Sequence, residues 1–87
     1  MGRFDTVCDG QVIRTMIFLL ANGPSKKTEI YDAVARNQNM PKRLERMREA
    51  GLVDIVEYGP TETVTLTATG VEVARLLQGI SDVLADA

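Results

Sequence analysis

Apolar residues return at three- and four-residue steps through residues 9–22, where Val12, Ile13, Met16, Ile17, Leu19 and Leu20 trace a wide stripe along a helix. Asp9 stands where its carboxylate can accept the free amides of the first turn. Asn22-Gly23-Pro24 closes the segment, because glycine tolerates the left-handed conformation and proline cannot continue a helix. Ser25 is the expected N-cap of a short second helix with a narrower face of Ile30, Ala33 and Val34, and the polar Arg36-Asn37-Gln38-Asn39 suits a turn. A third helix is expected from Met40 and Pro41, with Asn39 or Met40 as N-cap and Gly51 just beyond its end. At 100° per residue, Met40, Leu44 and Met47 fall within about 60° of one another, while Lys42 and Arg46 point the opposite way.

The period then changes to two. Residues 53–58 and 63–67 are rich in β-branched side chains, the second run setting Val64 and Leu66 inward against Thr63, Thr65 and Thr67 outward. Gly59-Pro60-Thr61-Glu62 supplies turn chemistry between them, so the pair predicts a β-hairpin. From residue 68 onward Val73, Leu77, Ile80 and Leu84 resume the helical spacing, and Leu76 and Val83 widen the stripe. A helix of about 19 residues spans roughly 28 Å, more than a core of this size covers with one face. Part of the stripe is therefore expected to meet another molecule.

Composition narrows the field. Eighty-seven residues, 45% hydrophobic and 25% charged, suit one soluble domain, residues 1–87, with 68–87 serving association. Cys8 is the sole cysteine and histidine is absent, so no intrachain disulfide or zinc site with Cys or His ligands can form within one chain, and a reducing cytoplasm is the natural setting. The longest apolar run, residues 16–21, is far short of the roughly 20 residues of a membrane span. Ser25 and Ser81 lack an evident activating base and no glycine-rich phosphate loop is present, so neither catalysis nor a cofactor is expected. Met16, Met40 and Met47 sit at helical spacing and read as core, and no signature marks an effector pocket.

Charge is unevenly distributed. Residues 26–48 carry seven basic side chains against three acidic, whereas residues 49–87 carry Arg75 against seven acids, so a net charge of −2 conceals a basic centre. Lys26 and Lys27, with Thr28 beside them, stand at the start of the second helix, where a helix end favours phosphate.

Two motifs carry a family resemblance. Arg43-Leu44-Glu45-Arg46-Met47-Arg48-Glu49-Ala50-Gly51-Leu52-Val53 is similar to the end of the recognition helix and start of the wing in bacterial and archaeal winged-helix regulators. Leu66-Thr67-Ala68-Thr69-Gly70 resembles the Leu-Thr-x-x-Gly that follows the wing in the same proteins, and the twelve residues between the motifs match the family's spacing. The resemblance spans nearly the whole chain and leaves the MarR-like, ArsR-like and small archaeal groups open. It implies an α+β, mostly helical winged helix-turn-helix with a three-helix core, a two-stranded wing and a long C-terminal helix. It also implies a transcriptional regulator or small chromatin-associated protein, dimeric and binding double-stranded DNA.

If the third helix enters a major groove, Gln38, Asn39, Lys42 and Arg46 are placed for base edges and Arg43 for flanking phosphate. Lys26, Lys27 and Thr28 then complete the DNA face. Val73, Leu76, Leu77, Ile80, Val83 and Leu84 form the expected homodimer interface. Glu45 and Glu49 limit base contacts to the first turn and a half, and the wing tip offers no cation. These acidic features support an alternative, an interaction module that has lost DNA binding.

Overall fold

The computed structural model describes residues 2–34 and 39–86. The chain runs α1 (Arg3–Val7), α2 (Gly10–Asn22), β1 (Ser25–Lys26), α3 (Lys27–Ala33), α4 (Met40–Glu49), β2 (Val53–Tyr58), β3 (Thr61–Leu66) and α5 (Ala68–Ala85). Arg36, Asn37 and Gln38, read above as turn residues, lie outside the described residues.

The expected helix punctuation is present at α2. Asp9 caps it, Oδ1 accepting from the Gln11 amide at 2.8 Å, and Gly23 ends it at φ 75°. Asn39 is the N-cap residue of α4, with Pro41 in the first turn. After α4, the Gly51 amide donates to Arg48 and the Leu52 amide to Met47, both at 3.0 Å, with Gly51 at φ 77°. This paired closure satisfies two helix-end carbonyls and turns the chain into the wing.

Three expectations are corrected. Ser25 does not cap α3. It lies in β1, nearly fully buried, with its hydroxyl donating to Gly23 O at 3.0 Å. Lys26 is the N-cap residue, and the Glu29 carboxylate accepts from its amide at 2.9 Å. Thr67 leaves the sheet and caps α5, accepting from the Gly70 amide at 3.0 Å. Tyr58 pairs with Thr61, so the turn shrinks from four residues to Gly59-Pro60. Gly59 has φ 62°, the sign a two-residue hairpin turn demands of its first central residue.

The sheet has three antiparallel strands in the order β1-β3-β2, since β1 joins the outer edge of the hairpin. Ser25 pairs with Val64 and Lys26 with Thr63, a register that fastens the wing to the segment preceding α3. A two-residue strand carries no alternation for a sequence pattern to detect. The short α1 was likewise not anticipated, having no apolar stripe of its own.

The core gathers Val12, Met16, Leu19, Ile30, Met40, Leu44, Met47, Leu52, Val53, Val64 and Ala74. Met40, Leu44 and Met47 are all 0% exposed, so the buried face expected for α4 is the one observed. Thr15, also fully buried, donates its hydroxyl to Gln11 O at 2.8 Å. Helices α3 and α4 with the β2–β3 hairpin form a winged helix-turn-helix.

Gly70 tests this packing. A Cβ added there would lie 2.0 Å from Leu52 O, whereas one at Gly10 meets nothing within 4 Å. Gly70→Ala is expected to destabilise by about 2–3 kcal/mol in urea denaturation, with Gly10→Ala near neutral. An unchanged midpoint for Gly70→Ala would contradict the close approach of α5 to Leu52.

Candidate nucleic-acid interface

Helix α4 presents Lys42, Glu45, Arg46 and Glu49 to solvent, opposite its buried methionines. Glu45 and Arg48 form a local pair, Arg48 Nε donating to Glu45 Oε1 at 2.8 Å. The hydrogen bond holds the Glu45 carboxyl below its usual range and raises the Arg48 guanidinium further. Arg46 also borders an open recess of about 390 Å³ between α1 and the end of α4, lined by Arg3, Asp5 and Glu49 among others.

Arg43 sits differently from the flanking-phosphate position expected for it. Its Nε donates to Asp9 Oδ2 at 2.8 Å, and its side chain is only 18% exposed. The carboxylate that caps α2 thus also anchors α4 from 34 positions away. Burial pushes the Asp9 carboxyl up, but the hydrogen bonds from Arg43 and the Gln11 amide, together with the Arg43 charge, outweigh it and leave the group below its ordinary value.

At the start of α3, Lys26 and Thr28 are exposed and Lys27 is half-buried. Lys27 Nζ lies 2.5 Å from Glu62 Oε2 of β3, a cation shared with the wing. Asn39 is exposed at the head of α4, and Gln38 falls outside the described residues. The fold therefore brings Lys26, Lys27 and Thr28 together beside the wing tip, along a recess of about 370 Å³ that Pro60, Thr61 and Glu62 complete. Lys42 and Arg46 occupy the outward side of α4. The pairings of Arg43 and Lys27 escaped the sequence reading because they join distant segments.

Helix α5 divides the six residues expected at an association face. Val73 and Leu77 pack against the core, and Ala74 between them is fully buried. Leu76, Ile80, Val83 and Leu84 are 58–71% exposed and flank a shallow groove of about 450 Å³ floored by Gly79. Among the described residues no helix is long and apolar enough to cross a membrane, and no cluster of Cys, Asp or Glu is arranged to hold a metal ion.

No protein-family model matches the chain, and no curated protein sequence matches it significantly. Solved structures do. The M. tuberculosis protein Rv0081 superposes with a TM-score of 0.75 at 23% identity, covering 97% of this chain and 88% of its own. An ArsR-family transcriptional regulator, RHA00566, superposes with a TM-score of 0.63 at 14% identity, covering 99% of this chain and 89% of its own.

The Asp9–Arg43 pair sets a pH dependence. A carboxyl whose value is lowered by folding adds stability above its unfolded value, near pH 4, and that contribution is lost as pH falls through the lowered folded value. Asp9→Asn, which retains a capping oxygen, is expected to lose about 1–2 kcal/mol at pH 7, between the values of exposed and buried pairs. The gap should narrow as pH falls below about 4 and close beneath the lowered folded value. A gap that persists unchanged into acid in pH-dependent denaturation would contradict the pairing.

Proposed function

We propose that the chain binds double-stranded DNA as a dimeric transcriptional regulator. The carrying observation is the outward face of α4, where Lys42 and Arg46 stand exposed opposite a fully buried apolar face. Such a helix can enter a major groove with its long cations toward base edges and phosphates. Lys26, Thr28 and Asn39 are exposed as well and extend the proposed DNA face, and Lys27 joins them when released from Glu62. Likeness in fold to a protein described as a transcriptional regulator supports this reading. Arg43 is assigned to positioning, because it holds α4 on α2.

Association through α5 completes the proposal. Leu76, Ile80, Val83 and Leu84 make one apolar face that the core leaves uncovered. Two such helices crossing antiparallel at Ile80 set Leu76 against the partner's Leu84, and Gly79 permits close approach. Doubling the DNA face matters here, since each protomer presents few cations and the wing is acidic.

Two measurements test the parts separately. Titration of mixed-sequence duplex at low salt should show salt-sensitive binding by the parent and at least a tenfold loss in Lys42→Ala/Arg46→Ala, as expected when two charge-assisted contacts worth about 1 kcal/mol or more each disappear. Equal binding by both, or none by either, would remove the DNA reading and favour a protein partner. In sedimentation equilibrium the parent should have twice the protomer mass, and Ile80→Glu/Val83→Glu should halve it. A monomeric parent would end the dimer proposal. Leu77 is unsuitable for this test because it supports the core.

A further inference from the structure

The wing carries charges of the wrong sign for a DNA-contacting element, and the sheet register shows where they act. Ser25 pairs with Val64 and Lys26 with Thr63, so one further step sets Lys27 opposite Glu62, where their side chains meet at 2.5 Å. On its other side Glu62 is the cross-strand partner of Glu57 in β2. Like charges directly opposite on paired strands repel. Lys27 is therefore the counter-ion of Glu62 in a like-charged cross-strand pair as well as a member of the proposed DNA face. Both ends of the contact remain accessible, with Lys27 26% and Glu62 41% exposed, and the recess beside them is lined by Lys26, Thr28, Pro60 and Thr61. A phosphate approaching the start of α3 meets the Glu62 carboxylate next to the cation it seeks.

We propose that Glu62 is an internal competitor for Lys27, a carboxylate that fastens the wing to α3 and sets both the affinity and the salt dependence of duplex binding. The inference rests on the DNA reading above. Where Glu62 keeps Lys27 from a phosphate, that contact releases no condensed cation, so Lys27 contributes little to the salt dependence of the parent. With the carboxylate gone, the same contact releases a cation outright, and the slope of log K against log salt steepens by about 0.9.

The test is fluorescence anisotropy with a mixed-sequence duplex, titrated at several salt concentrations, for the parent, Glu62→Gln, Lys27→Gln and the double variant. Glu62→Gln should bind about three- to fivefold tighter at low salt, the scale of one exposed ion pair, with the steeper slope. In the Lys27→Gln background the same substitution should leave the slope unchanged, which separates release of Lys27 from a general loss of negative charge. Glu62→Thr, which suits a strand better, should reproduce the steeper slope and guards against a hairpin effect special to glutamine. Salt-sensitive binding by the parent with no change in slope in either Glu62 variant would overturn the proposal, as would the same steepening without Lys27. Absence of binding by all the proteins would overturn the DNA reading itself, whereas binding by the Glu62 variants alone would support the competition.

Discussion

Thr67 joins the end of the helix-turn-helix to the helix proposed for association. Its hydroxyl donates to Gly51 O at 2.6 Å and accepts from the Gly70 amide at 3.0 Å, while its own amide donates to Leu52 O at 3.0 Å. Gly70 must lack a side chain for α5 to approach Leu52 so closely. The left-handed Gly51 and the N-cap of α5 are thus two sides of one contact. The direction in which Lys42 and Arg46 point is thereby fixed relative to the exposed stripe of α5. If two chains associate through that stripe, this junction sets the spacing of their DNA faces.

The second constraint is the sharing of cations between fold and surface. A basic centre is plain in the sequence, yet Arg43 is drawn inward to Asp9, Arg48 is paired with Glu45, and Lys27 is held by Glu62. What faces outward is smaller than the charge count suggests. For the proposed DNA binding this implies low affinity per protomer, and with it the dependence on association and on displacement of Glu62 proposed above. The acidic wing, which alone would argue against DNA, becomes intelligible as an element whose charge is compensated by α3.

Much of the architecture was legible because long elements write their period into the sequence. Helices α2 and α4 and the hairpin appear where the stripes, Asp9, Pro41, Gly51 and the β-branched runs place them. Strand β1 was not legible, since two residues have no period, and Ser25 consequently read as a cap when its hydroxyl is needed inside a turn. Residue type alone also could not divide the α5 stripe. Val73 and Leu77 face the core and Leu76 and Ile80 do not, a distinction set by where α2 lies. The Asp9–Arg43 and Lys27–Glu62 pairs depend on long-range proximity, which composition and spacing do not encode.

Engagement of duplex DNA by the outward face of α4 and the start of α3, as proposed, is best read by an NMR titration of isotopically labelled protein with a short duplex, followed residue by residue at two salt concentrations. Chemical-shift changes are expected at Lys26, Lys27, Thr28, Asn39, Lys42 and Arg46 that diminish as salt rises, with Leu76, Ile80 and Val83 unaffected. Shifts confined to α5, or none at low salt, would contradict it.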